Sequence, residues 1–276
     1  MQILSFASAK GDGAVNEDTA GVAGSLAWIF DGATATGTPE ISGAGSDAKW
    51  LVRRLESAVR TLAEQDTTGK PLTEVASDLV EDVRHGLHEL GLAVDRLTPY
   101  ASGALLRVQP GWADYLLLGD VTLAFRAGQR SEVVTDPRAA RLALAAIDIA
   151  TRYQGEELRA RQRQFERTFV NQPGGYWVFG SQPKATEHGV VGRFPLDESC
   201  LALLSTDGFS RVVEGFALAA SWPALLDRLA ADGPSSVASM IAQLRALEAD
   251  PGHPGVARIK KSDDATGLLL RIGGPA

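Results

Sequence analysis

A single cysteine, Cys200, leaves the chain without the means for an internal disulfide or a thiolate metal cluster. It lies in the apolar run "SCLALLS" and reads as a small buried residue rather than a nucleophile. Histidine is scarce as well, with four in the whole chain and no cluster of Cys and His, so zinc is not the expected metal. No stretch approaches the roughly 20 apolar residues that span a bilayer, which argues against a membrane partner. The opening "MQILSFASAK" has no basic region ahead of its short apolar run and reads as a first strand rather than a signal peptide, so the expected compartment is the cytoplasm. Basic residues are outnumbered: 27 Lys and Arg against 34 Asp and Glu give a net charge of −7. A nucleic-acid binder working by broad phosphate neutralisation is therefore not expected.

What is present is an ordinary globular composition, 45% hydrophobic and 22% charged, in 276 residues, enough for a substantial core. With no internal repeat and no linker-like tract, a single domain over residues 1–276 is expected. Apolar residues at spacings of three and four predict helices over 47–64 and from Leu72 to near Gly91. The period then shortens: "GALLRVQPGWADYLLLGDVTLAFRAGQRSEVVT" reads as antiparallel strands joined as hairpins at "QPGW", "GD" and "RAGQR". A helical block follows over about 138–168, then strands in "GGYWVFG" and "ESCLALLSTDG", helices in "WPALLDRLAADG" and "SSVASMIAQLRALEA", and a closing strand in "DATGLLLRIG". Grouped strands and helices favour an α+β fold over a doubly wound sheet. "GTPEISGAG" and "ADPGHPGVARIKKS" read as surface loops. Five arginines in "RYQGEELRARQRQFER", Arg152, Arg159, Arg161, Arg163 and Arg167, form either a solvated helix face paired with Glu156, Glu157 and Glu166 or a surface for an anionic substrate.

Three apolar runs end on a carboxylate: "LAWIF" on Asp31, "YLLLG" on Asp120 and "LALLST" on Asp207. Glycines follow two of them, Gly32 and Gly208, and permit close backbone approach. Glu17 and Asp18 form an acidic pair near the amino terminus, and Asp263 and Asp264 precede the last strand. Singly, each of these is also compatible with a turn or a cap. Together they suggest oxygens aimed at one point from several strand ends, which repulsion forbids unless a cation neutralises them. An all-oxygen set suits Mg²⁺ or Mn²⁺.

In this order, "NED" at 16–18, "IFDG" at 29–32, "YASGALLRV", "LLLGD" at 116–120, "LLSTDG" at 203–208 and "DDATGLLLRI" at 263–272, the sequence resembles the metal-dependent type 2C serine/threonine protein phosphatases, the PPM family, in their bacterial form. The resemblance implies a four-layer α-β-β-α sandwich of two antiparallel sheets flanked by helices, with two Mn²⁺ or Mg²⁺ ions at one end and a third at a weaker site. It implies that Asp31 bridges the metals with the Gly32 carbonyl on one of them, that Asp207 and Asp263 complete one ligand set, and that Glu17 and Asp18 hold the second ion and its waters. Asp120 matches the third position, and of the pair at 263–264 the first matches the ligand. The implied activity is hydrolysis of a phosphomonoester, on a phosphorylated protein or a small phosphate ester, by water activated between the metals, with Asp31, Asp207 and Asp263 as the catalytic set and no protein nucleophile.

Two positions depart from the pattern. Gly13 stands where the family has a phosphate-binding arginine, and Ala33 where many members have a histidine. Lys10 or an arginine of the 152–167 run, Arg167 among them, is the expected substitute for the first. The loss also admits a non-catalytic module that keeps the fold. The stretch 171–189 falls where the family has a variable flap; its Tyr176 and Trp177 read as strand core or as substrate contacts, and His188 as a surface-loop residue. A dinucleotide site at "GAGSDA" lacks the preceding strand, and a haloacid-dehalogenase-like site fails because residue 33 is Ala.

Overall fold

The computed structural model describes residues 1–36, 40, 42–65, 67, 69–91, 99–250 and 260–273. In chain order its strands are β1 (Gln2–Ala9), β2 (Asp18–Ala23), β3 (Leu26–Ala33), β4 (Tyr100–Gln109), β5 (Trp112–Leu118), β6 (Thr122–Ala127), β7 (Arg130–Val134), β8 (Val190–Pro195), β9 (Cys200–Ser205) and β10 (Ala265–Ile272). The helices are α1 (Asp47–Ala63), α2 (Leu72–Glu89), α3 (Pro137–Arg152), α4 (Gly155–Phe169), α5 (Asp207–Glu214), α6 (Trp222–Ala231) and α7 (Ser236–Ala249), with a short 3₁₀ segment at Pro183–His188. Two five-stranded antiparallel sheets result, one ordered β1-β10-β9-β6-β7 and the other β2-β3-β4-β5-β8.

The strand β3 shows why the layers form. Its run "LAWIF" is buried on both faces, and the two-residue period of a strand sends Leu26, Trp28 and Phe30 to one side and Ala27 and Ile29 to the other. The first set packs under α1 and α2 with Leu51, Leu55, Leu79 and Leu87. The second meets Leu123, Phe125, Leu204 and Leu268 of the facing sheet. A third core lies beyond that sheet, where Leu203 and Leu269 pack on Phe209, Leu225 and Leu244 of α5, α6 and α7. Each fully buried leucine or phenylalanine here contributes about 1.5–3 kcal/mol of transfer free energy. The expected four-layer α-β-β-α sandwich is what is observed.

Several local expectations change. The "GD" turn is not a hairpin: β5 and β6 belong to different sheets, so Gly119 and Asp120 carry the chain across the end of the sandwich. The block 138–168 is two helices, parted where Tyr153 and Gln154 are both extended. "GGYWVFG" is no strand; it makes only isolated bridges, Ala101 with Phe179 and Val170 with Tyr176, and the edge of the second sheet is instead β8. Strand β9 stops at Ser205, and "DGFSRVVE" opens the unpredicted helix α5. Cys200 is buried, and burial pushes its thiol up to about 11, as its reading as a packing residue requires. The loop "GTPEISGAG" lies partly, at 37–39 and 41, outside the described residues, and so does most of "ADPGHPGVARIKKS", at 251–259. No helix among the described residues is long and apolar enough to cross a membrane.

Candidate metal centre

Strand register assembles the site. In the second sheet Asp18 pairs with Asp31 across β2 and β3, and Asp31 pairs in turn with Ser102 of β4. The Ser102 hydroxyl donates to Asp120 Oδ1 at 2.6 Å, which ties the crossover to that row. In the first sheet, β10 and β9 end together: the Thr206 amide donates to the Thr266 carbonyl at 3.1 Å, placing Asp207 and the pair Asp263–Asp264 at the same end. The sheets are joined there by Thr206, whose Oγ1 donates to Asp18 Oδ2 at 3.0 Å while accepting from the Thr266 amide at 3.0 Å.

Two glycines allow the close approach. A Cβ on Gly32 would stand 3.0 Å from the Glu17 carbonyl oxygen and from Val52 of α1, and one on Gly208 only 1.9 Å from the Asp264 carbonyl oxygen. Any larger residue at 208 would push α5 off β10 and carry Asp207 with it.

The electrostatics follow from the crowding. Burial, then the Asp264 and Asp207 charges, raise Asp18 to about 7. Burial, then Asp120 and Asp263, raise Asp207 to about 7, with Arg211 pulling the other way. Asp31 is pushed well above the usual carboxylate range, first by burial and then by Asp18, Asp207, Asp120 and Asp263. Among the described residues, no three or more acidic, histidine or cysteine side chains are gathered in a geometry that could hold a metal ion. The carboxylates share one end of the sandwich, close enough for their charges to raise one another.

The donor set nevertheless fits a hard cation. Asp18 Oδ1 is buried with no hydrogen-bond partner, an orphaned acceptor of the kind a cation satisfies. All the charged groups offered are oxygens. Asp120, Asp207 and Asp263 line one cavity of about 460 Å³. Asp264 does not line it: its two oxygens accept from the Gly11 amide at 2.8 Å and the Glu17 amide at 2.6 Å, pinning the loop before β2. Glu17 is turned toward α1, where its Oε1 accepts from Ser46, the N-cap. Asp18, by contrast, is in the row with Asp31.

The expected phosphate-binding side chains are elsewhere. Lys10 donates to the Gly13 carbonyl at 2.5 Å, within its own exposed loop. Arg167 is exposed on α4 and does not line the cavity. The arginine run is mostly a solvated face, with Arg161 paired to Glu157 at 3.7 Å and lying over Tyr153. Glu166 is the exception, buried and accepting from the Thr36 amide and hydroxyl at 2.9 and 2.6 Å. Tyr176 and Trp177 divide the two readings between them: Trp177 is in the core under α2, stacked on His188 at 3.8 Å, and Tyr176 lines the cavity. His188 is thus a packing residue rather than part of a surface loop. Sequence reading missed Thr206, Thr266, Ser102, Arg211 and Lys260. The first two stand beside recognised acids in "STDG" and "DDAT", whereas nothing in "RIKKS" marks Lys260.

No protein-family model and no curated protein matches the sequence. Solved structures do. A bacterial serine phosphatase superposes over 100% of both chains with a TM-score of 0.62 at 15% identity. The serine/threonine phosphatase Stp1 from Staphylococcus aureus covers 99% of this chain and 96% of its own, with a TM-score of 0.62 at 14% identity. The fold is that of the PPM-type phosphatases. The catalytic domain of the serine/threonine protein phosphatase PstP, solved in complex with two manganese ions, covers 98% of this chain and 99% of its own, with a TM-score of 0.59 at 14% identity. The PPM-type fold thus spans the whole of this chain, with identity too low for side chains to be transferred except one at a time.

Proposed function

We propose that this protein is a metal-dependent phosphomonoester hydrolase acting on serine/threonine phosphoproteins in the cytoplasm, as a single PPM-type domain. The observation that carries the reading is the meeting of Asp18, Asp31, Asp120, Asp207 and Asp263 at one end of that fold, with Asp18 Oδ1 unsatisfied. Asp31 would hold both ions of a Mn²⁺ or Mg²⁺ pair, with the Gly32 carbonyl, Asp207 and Asp263 on one and Asp18 and Glu17 toward the other; Asp120 would serve a third. When bound, the pair supplies an activated water and neutralises the phosphoryl oxygens.

The chain's own part is positioning. Thr206 holds Asp18 through one oxygen and leaves the other free. Asp264 fixes the loop that carries Glu17 by taking its amide. Arg245 donates to the Asp263 carbonyl and Arg211 to Asp263 Oδ2 at 3.3 Å, so that carboxylate is aimed by its surroundings. The apolar face of α3, with Leu142, Ala143 and Ile147, forms the opposite wall of the cavity.

The test is hydrolysis of p-nitrophenyl phosphate with added Mn²⁺. Activity abolished by EDTA and reduced more than about a hundredfold in Asp207→Asn supports the reading, since even outer-shell partners cost 10–100-fold. No hydrolysis at any Mn²⁺ concentration overturns it in favour of a non-catalytic module, the second reading that Gly13 and Ala33 support. Phosphopeptides hydrolysed more slowly than small esters would move the assignment to a small-molecule phosphatase.

A further inference from the structure

Basic side chains line the cavity at two positions, Arg211 and Lys260. They are held differently. Arg211 is 16% exposed and gripped from two sides, by Glu248 at 3.1 Å and by Asp263 at 3.3 Å. Glu248 is itself buried and held by Arg245, so Arg211 belongs to a closed network behind the site. Lys260 is 53% exposed and has one carboxylate partner, Asp263 Oδ1, at 2.7 Å. It lines the same cavity as Asp207, and the charges of Asp31 and Asp207 favour its ammonium form.

A cation taken up by Asp263 would compete for the oxygen that holds Lys260 and repel its ammonium. The long, half-exposed side chain is free to move, and the next anion along the same wall is the one the cavity would receive. A lysine suits that role as a mobile point charge. The other expected anchors do not reach the cavity: Lys10 is spent on the Gly13 carbonyl and Arg167 lies outside.

We propose that Lys260 is the phosphate anchor of this site, exchanging Asp263 for a phosphoryl oxygen of the substrate when a divalent cation occupies the carboxylates. The inference rests on the phosphatase reading for its biological meaning, but its test is binding rather than turnover. Inorganic phosphate is titrated calorimetrically into the Mn²⁺-loaded full chain, and Mn²⁺ into the metal-free chain. Lys260→Ala is expected to weaken phosphate binding at least about tenfold, the loss of one charge-assisted hydrogen bond. Lys260→Arg restores most of it, Lys261→Ala at the exposed neighbouring position leaves it unchanged, and Mn²⁺ binding by Lys260→Ala is equal to or tighter than that of the unaltered chain. With a substrate that is turned over, Lys260→Ala raises KM more than it lowers kcat.

Phosphate bound equally well by Lys260→Ala overturns the inference. So does a parallel loss of Mn²⁺ affinity, which would make Lys260 a support of the carboxylates, and so does an unaltered Mn²⁺-loaded chain that binds no phosphate. A chain that binds phosphate through Lys260 yet hydrolyses nothing would uphold the anchor and overturn the phosphatase reading alone.

Discussion

The carboxylate end of the sandwich and the α3–α4 hairpin face each other across the same cavity, yet they are built in opposite ways. The acids of the first are set by strand register, by a helix start or by hydrogen bonds from Ser102, Arg211 and Arg245, and Thr206 ties one sheet to the other behind them. The second has one buried residue on each helix, Ala139 on α3 and Glu166 on α4, and leaves Leu144 73% exposed. One wall is over-determined and the other nearly free of the core. Groups that must hold a charged centre in place need the former; a surface that receives substrates of varied shape can be the latter.

The sharpest way to break this contrast is to loosen the rigid wall without touching an acid. Thr206→Val removes the hydroxyl that donates to Asp18 and accepts from Thr266, leaving both buried partners unsatisfied. Mn²⁺ affinity measured by calorimetry should fall about 10–100-fold, as for other outer-shell partners. An unchanged affinity would mean that Asp18 is not held for the metal.

Smaller, and specific to the same wall, is a pH effect. Asp18 and Asp207 are raised from 3.8 to about 7 in the folded chain, so the folded state binds more protons than the unfolded one between those values. Their contribution to stability is full below about 3.8 and is lost as pH rises to about 7. A divalent cation reverses this, because it prefers the ionised form. The rise in melting temperature on adding Mn²⁺ should therefore be larger at pH 8 than at pH 5, by thermal unfolding with EDTA as the reference. Equal rises would show that these carboxylates do not bind the ion.

Next comes the loop beside the rigid wall. A Cβ on Gly13 would meet only the Val15 carbonyl oxygen at 3.4 Å, and the residue is exposed, so Gly13→Arg costs no packing. It should lower KM for p-nitrophenyl phosphate by about threefold to tenfold, a guanidinium adding a charge-assisted contact to the phosphate. A KM that stays put would locate the phosphate away from this loop.

How much of this was legible in sequence follows the same division. The acids at Asp31, Asp120 and Asp207 could be read because three apolar runs lead to a carboxylate, each compatible singly with a turn or a cap but suggestive as a set; in the structure β3 continues through Asp31 to Ala33, Asp120 follows β5 and Asp207 opens α5. Register, though, is a long-range property. That Asp18 would lie opposite Asp31, or that Thr206 would bridge to Asp18 from 188 positions away, is set by pairing that no local pattern encodes. The "GD" turn shows the limit well, since a two-residue connection reads as a hairpin whether or not its strands share a sheet. Period reading found the helical block at 138–168 but not its break, and took "GGYWVFG" for a strand because three aromatics and a valine in four residues mimic strand composition. Lys260 left no mark, because its role depends on which carboxylate it meets.

The sparsely buried wall should give the smallest effects, and their pattern is the informative part. Leu144 faces away from every core, so Leu144→Ser should change unfolding free energy by no more than about 0.5 kcal/mol. Leu142 lines the cavity without being buried, so Leu142→Ser should be as mild on stability, yet raise KM for an ester with an aromatic leaving group about twofold to threefold and leave Mn²⁺ affinity alone. A loss of stability in either variant would mean that α3 is part of the core after all. A loss of Mn²⁺ affinity in Leu142→Ser would join the two walls into one unit, because the apolar helix could then be felt by the carboxylates only through a shared structure that the pairing of the sheets does not require.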